Sequence, residues 1–464
     1  MLSKVQISSV IIALLMPIGV SIHQKLRAQD IIFTAQEHFD KFNNVEGGWC
    51  AADATISLPL PDGKTLWLFG DTFIGEKTGL FSINPNNAKM INNCAIIEDS
   101  NGLKAYYGGT QSNPSSFIPG DGSDFFWPEH ATIENDTLKI SAVRVMYQNN
   151  GTPGFNFRVG TSYIATYKYP SMEYIKTSKI NYITDSTMRF GACILKSGDY
   201  TYIFGVKDTT AEGMTWPVPY LARVGQSIDN PWEFYAGTKG WSTFCDDAKP
   251  VGNRPMSESF YVYEKNNKFY LIMHEIWTVG ELYILEADAI TGPWNRKSSG
   301  GNETLFAKIQ PQTGLFSYNL FAHPQFQVDG KILISFNVNT TDFSSIYSDT
   351  RNYRARFYWL SVENAAATTS PTTITLHDHY TEVYESDGII TPSKIFFTPN
   401  DCSLTCKGIP GKSLLTIYGI DGKIYFEKYI TDDVTYSISN LPKTLLIVKL
   451  SGEWGAEIKK IINH

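Results

Sequence analysis

Five times along the chain a short apolar run, a tight polar turn and a second run rich in aromatic and β-branched residues follow one another. ATISLPLPDGKTLWLFGDT turns at Asp62, HATIENDTLKISAVRVMY at Asn135, GACILKSGDYTYIFGVKD at Gly198, SESFYVYEKNNKFYLIMHEIW at Asn266 and HPQFQVDGKILISFNVN at Asp329. The turns are Asp-Gly, Asn-Asp, Gly-Asp and Asn-Asn pairs, which tolerate the positive φ angles of tight hairpins. They lie 73, 63, 68 and 63 residues apart. Behind several hairpins comes a second pair of strands, as in YIATYKYPSMEY, PYLARVGQSIDNPWEFY, ELYILEADAITGPW and RARFYWLSV.

Four antiparallel strands recurring five times predict an all-β fold, a five-bladed β-propeller over 30–364, because each blade buries its faces only against its neighbours. A run of hairpins in a β-sandwich is the competing reading. The regular spacing and the repeated Pro-Trp endings at Pro231-Trp232 and Pro293-Trp294 count against it.

The pattern changes at both ends. Residues 1–29 carry Lys4, an apolar run from Val10 to Val20 and a small-residue site near Ala28, which predicts a secretory signal peptide. The run is short for a membrane span, so no transmembrane segment is expected once it is removed. The small, hydroxyl-rich stretch from Ala365 opens a linker over 365–390. Beyond it, 391–464 alternates again around an Asp-Gly turn and predicts a small β-sandwich. Its last strand and the basic apolar tail Lys459-Lys460-Ile461-Ile462 resemble the C-terminal sorting domain of the type IX secretion pathway. That resemblance implies a partner in the type IX secretion machinery, a Bacteroidetes-type cell, and a protein secreted or held on the outer cell surface.

Composition narrows the partners. Aromatic residues make up 14% and charged residues only 18%, which suits strands better than helices. The net charge of −7 gives no footprint for nucleic acid or an anionic membrane, and a neutral carbohydrate is the easier partner. The six cysteines are too scattered for a metal cluster; Cys402 and Cys406 are close enough to pair, and free buried thiols suit the other four equally well.

In a propeller the innermost strands all begin at one mouth of the central channel. Counting back from the five turns places Asp53, then Glu129 and His130, then Arg189, Glu258 and His323 around that funnel. Hairpin symmetry sets Asp71 opposite Asp53, Asp208 opposite Arg189 and Glu275 opposite Glu258. Like charges directly across a strand pair are destabilising. Two facing carboxyls also split their proton affinities, which is what glycoside hydrolysis asks of a nucleophile or base and a proton donor. Asp53, Asp71 and Glu258 are therefore the expected catalytic carboxyls. Trp49, Glu129, Arg189, Asp208, Glu275 and His323 are expected to contact substrate, with Trp127 and Trp277 as further stacking faces. No motif requires a cofactor; a structural Ca2+ in the central channel would suit an oxygen-rich funnel, though no spacing demands one.

Gly48-Trp49, Asp53 and Leu66-Trp67-Leu68-Phe69-Gly70-Asp71-Thr72-Phe73 resemble the start of secreted propeller families known only as domains of unknown function, one of which is associated with endo-D-arabinanase activity. Tyr318-Asn319, His323-Pro324 and Ser335-Phe336-Asn337-Val338-Asn339 extend the likeness, which runs over most of 45–363 and adds Asn337 to the substrate contacts. The resemblance implies catalytic carboxylates at Asp53 and Asp71. Broader kinship with glycoside hydrolase families 43, 32 and 117 implies a base on blade one and an acid on a later blade, a role that Glu258 fits. Those families also expect an Asp where this chain has Arg189-Phe190-Gly191, with Asp185 and Asp208 nearby. The expected function is an exported glycoside hydrolase acting on a polysaccharide or oligosaccharide. The alternatives are a non-catalytic carbohydrate-binding propeller of a glycan-uptake system and a sialidase-like enzyme, whose repeated Ser-x-Asp-x-Gly-x-x-Trp boxes are absent.

Overall fold

All five predicted turns are hairpins in the computed structural model, and each carries a residue in the left-handed region: Gly63, Asn135, Gly198, Asn266 with Asn267, and Asp329 with Gly330. The structure describes residues 32–148, 156–211, 214–252, 257–274, 282–297, 314–340 and 342–362. Between 395 and 463 it describes all but 399–401, 410, 420–423, 443–444 and 453–454. The signal peptide and linker expected at 1–29 and 365–390 lie outside the described residues, as do Glu275 and Trp277.

Five sheets succeed one another along the described residues, antiparallel but for the pairing of Val45–Glu46 with Gly102–Tyr106 in the first. The first pairs Ile56–Pro59, Thr65–Phe69, Cys94–Asp99 and Gly102–Tyr106, and the second runs from Phe125–Glu134 to Glu173–Lys179. The third begins at Met188–Ser197 and the fourth at Phe260–Lys265. The fifth pairs Leu315–Val328, Lys331–Thr340 and Arg356–Leu360, and its outer strand is Ile32–Thr34 from the other end of the chain, with Phe33 facing Trp359. The innermost strand of each sheet lies against that of the next, and Leu315–Val328 lies against Ile56–Pro59, so the ring is closed. This is a β-propeller.

Apolar side chains fill the spaces between sheets. Where the ring closes, Phe42 stacks on Phe357 and meets Trp67 and Phe69 edge-on. Full burial of each such ring is worth about 1.5–3 kcal/mol, which favours closure over an open fan of sheets.

The first blade departs from the simple plan. Its inner hairpin is broken midway, so that Trp49–Ala52 and Thr72–Ile74 form a separate small sheet with Lys89–Ile91. The break falls at Asp53 and Ala54 on one strand and at Gly70 and Asp71 on the other. Ala54 has φ 54° there.

Residues 395–463 form two further sheets: Ile395–Thr398 with Ser403–Cys406 and Val434–Ser437, and a four-stranded sheet centred on Ser413–Gly419 and Leu445–Gly452. Leu404, Cys406, Leu415, Ile417, Val448 and Leu450 share one buried cluster, as a sandwich requires. Cys50, Cys94, Cys193 and Cys245 are free thiols and all four are buried. Among the described residues no helix is long and apolar enough to cross a membrane.

Candidate active site

Asp53 and Asp71 face each other across the break in the first hairpin. The register of the strands on either side, Ile56 with Leu68 and Ala52 with Thr72, runs unshifted through the pair. The Asp53 amide donates to the Asp71 carbonyl at 3.2 Å, and the Gly70 amide donates to the Asp53 carbonyl at 3.0 Å. Gly70 is needed because a Cβ there would lie 2.5 Å from Asp53 Oδ1.

The two carboxyls have different surroundings. Asp53 Oδ2 accepts from the hydroxyls of Tyr318 at 2.8 Å and Tyr353 at 2.9 Å. Burial pushes the Asp53 carboxyl up to about 6, and the two phenols oppose that rise. Asp71 Oδ1 accepts from Trp127 Nε1 at 3.2 Å and from Asn92 Nδ2 at 3.4 Å. Burial, and then the charge on Asp53, push Asp71 up to about 7. The phenols oppose the rise at Asp53 while the charge on Asp53 adds to the rise at Asp71, so Asp53 is the member that ionises first. Tyr318 is held in turn by Asn339, whose amide donates to its hydroxyl at 3.3 Å.

A second group gathers around Arg189. Its side chain is 4% exposed and forks onto Asp208, with Nη1 to Oδ2 at 2.7 Å and Nη2 to Oδ1 at 2.8 Å, while Nη2 also reaches Glu258 Oε1 at 2.8 Å. Arg189 and Asp208 are not opposite one another as the turn count implies. A bulge between Phe190 and Cys193 moves Arg189 opposite Val206, and only the length of the side chain restores the contact. The Glu258 side chain is 54% exposed and is hydrogen-bonded to Arg189. Among the described residues no hydrogen bond joins Glu258 to Asp53 or Asp71.

Glu129 sits two residues beyond Trp127 on the same strand. Its Oε2 is buried without a hydrogen-bond partner, and burial pushes the carboxyl up to about 7 despite the opposing charge of Arg189. Gly191, at φ 130°, makes room for it, since a Cβ there would come within 2.7 Å of that oxygen.

Four residues expected around the funnel or against substrate are instead core. Trp49 is 2% exposed, packed between Phe42 and Phe69. His323 is fully buried, its Nδ1 2.7 Å from Ser57 Oγ and its Nε2 2.9 Å from Ser335 Oγ, and burial lowers it to about 3. His130 is likewise buried, lowered to about 4, with Nδ1 accepting from the Ile194 amide. Asn337, also fully buried, donates to the Ala52 carbonyl at 3.3 Å and so braces the segment that carries Asp53. The counting that found the aspartates missed Tyr318, Tyr353 and Asn92. Among the described residues no three His, Cys, Asp or Glu side chains converge as a metal site.

The buried carboxyls make stability depend on pH. Asp53, Asp71 and Glu129 bind protons more tightly folded than unfolded, so their contribution is fully present below the unfolded range near pH 4 and is lost as pH rises through about 6 to 7. Asp71→Asn removes one such site. Its melting temperature is expected to gain on wild type between pH 5 and pH 8, checked by thermal denaturation; a constant difference across that range would count against a proton held at Asp71.

Residues 36–364 match the family described as a domain of unknown function, DUF5005. The chain belongs to that family. The DUF5005 region is the whole propeller ring without its first strand. Comparison with curated proteins returns no match. Among solved structures, a provisional hydrolase from Bacteroides ovatus is similar at 19% identity, covering 71% of this chain and 89% of that one, with a TM-score of 0.58. A Bombyx mori family 32 β-fructofuranosidase solved with sucrose is 12% identical over 92% of each chain, with a TM-score of 0.41. A Xanthomonas citri family 43 enzyme solved with xylose is 12% identical over 70% of this chain and 94% of that one, with a TM-score of 0.40. At these identities the first supports the fold and no more.

Proposed function

We propose that this protein is an exported glycoside hydrolase whose reaction is carried by Asp53 and Asp71. The observation behind the reading is a facing carboxyl pair at a funnel-side break, one member stabilised as an anion by two phenols and the other neutral. Asp53, as nucleophile or base, acts on the anomeric carbon directly or through a water. Asp71 gives its proton to the leaving oxygen as the glycosidic bond breaks, and the bonding electrons pass to that oxygen. Glu129, a second neutral carboxyl, donates to a substrate hydroxyl, and Arg189 with Asp208 orients the sugar from the opposite side. Export rests on the expected signal peptide and on the C-terminal strands as a type IX address.

The competing reading, a carbohydrate-binding propeller without turnover, draws on the Arg189 group, where Asp208 and Glu258 are tied up in ion pairs. A screen of the full mature chain against plant, algal and bacterial polysaccharides separates the two. Released reducing ends that vanish in Asp53→Asn support hydrolysis; retention of polysaccharide without release, unchanged in the variant, supports binding alone.

A further inference from the structure

Beside Asp71 lies a cleft of about 600 Å³ between the outer parts of the first two blades. Asn92, Tyr107, Phe117, Phe125, Tyr147 and Tyr174 line it. Two contacts join it to the carboxyl pair. Asn92 forms part of its wall and also donates to Asp71 Oδ1. Trp127, the other donor to that oxygen, meets Phe125 edge-on at 5.7 Å, and Phe125 packs on Tyr147 at 5.3 Å.

The wall is aromatic and open. Tyr147 is 62% exposed and Tyr174 40% exposed. The hydroxyl of Tyr107 is committed to the Gly47 carbonyl at 2.6 Å and that of Tyr174 to Thr177 at 3.1 Å, which leaves ring surface as the recognition element. The carboxylate in the wall, Asp124, is neutralised by Arg144, whose Nε donates at 2.8 Å. Flat apolar rings, a few amide and hydroxyl edges and no net charge suit the C–H faces of uncharged sugars. They do not suit a phosphate, a nucleotide or an acidic glycan.

We infer that this cleft receives the leaving-group side of the substrate, and that the substrate is a neutral saccharide chain running more than one ring beyond the cleaved bond. The inference rests on the hydrolase reading for its direction: Asn92 joins the cleft wall to Asp71, so the oxygen that Asp71 protonates is taken to belong to the part of the chain that enters the cleft. The volume falls within the ~300–1,000 Å³ of small-molecule sites, room for several rings in line rather than one terminal sugar.

The test pairs a binding and a turnover measurement on the full mature chain. Affinity electrophoresis is run in gels containing soluble arabinoxylan, arabinan, mixed-linkage β-glucan or polygalacturonate. Hydrolysis is followed on oligosaccharides of increasing length prepared from the neutral polymers. Wild type is expected to be retarded by a neutral polymer and to show kcat/KM rising about tenfold or more with chain length, as stacked aromatic contacts are added. Tyr147→Ala should abolish the rise, and Tyr147→Phe should restore it. A flat length dependence, a Tyr147→Ala protein equal to wild type, or preference for polygalacturonate would overturn the inference and leave the hydrolase reading standing. Retardation lost in Tyr147→Ala without any hydrolysis would keep the cleft as a saccharide site and remove the hydrolase reading. Neither retardation nor hydrolysis would overturn both.

Discussion

Asp53→Asn protein is expected to lose on the order of 10³-fold or more in kcat while remaining as well folded as wild type. The amide keeps the size of the carboxylate and can still accept from Tyr318 and Tyr353, so the pocket stays filled. What disappears is the negative charge that attacks or activates water. Rates of reducing-end release for the two proteins, with circular dichroism as the folding control, decide the matter. Tyr353→Phe gives a graded companion. Removing one phenol removes a stabiliser of the Asp53 anion, so Asp53 ionises later and the acid limb of the kcat/KM profile moves from about 6 to higher pH. A profile that stays in place would show that the limb belongs to another group.

The largest expected effect on stability is at Arg189. Its guanidinium is buried and holds Asp208 bidentately with Glu258 alongside. Arg189→Met leaves these carboxylates without their cation, a change that costs ~3–5 kcal/mol when both partners are buried. Here Asp208 is 30% exposed and Glu258 54% exposed, so water recovers part of the loss and the lower end of that range is expected. Urea denaturation measures it. Asp208→Asn in the same background should recover part of the loss, because one unpaired charge is then gone; no recovery would mean that Arg189 acts through packing alone.

The ring was legible because local chemistry writes it. Positive-φ dipeptides occur where hairpins turn, and β-branched and aromatic runs occur on either side. Asp53 opposite Asp71 was legible for the same reason, since no bulge intervenes between the Asp62 turn and the pair. Counting failed at Arg189, where the bulge after Phe190 slips the register by two, and at His323, whose strand is irregular on both sides of it, between Tyr318 and Phe321 and between His323 and Gln327. A strand start identifies depth in the channel but not which face a side chain takes, so Trp49, His323 and Asn337 read as funnel residues and are core. Tyr318 entered only as part of the family likeness, with nothing to tie it to Asp53, and Tyr353 carried no usable signal. They lie 265 and 300 residues from Asp53 in sequence and reach it only because the ring brings the last blade beside the first.

That same closure fixes when the protein can become itself. Ile32–Thr34 leaves the ribosome long before Arg356–Leu360 and finds its partner only when that strand has followed. Tyr318 and Tyr353 arrive as late as that partner does. A chain cut short anywhere before the last blade therefore lacks both its closing strand and the two phenols that make Asp53 an anion. On the hydrolase reading proposed above, incomplete copies are expected to be inert as well as unstable, with chemistry beginning only in a ring whose first and last strands have paired.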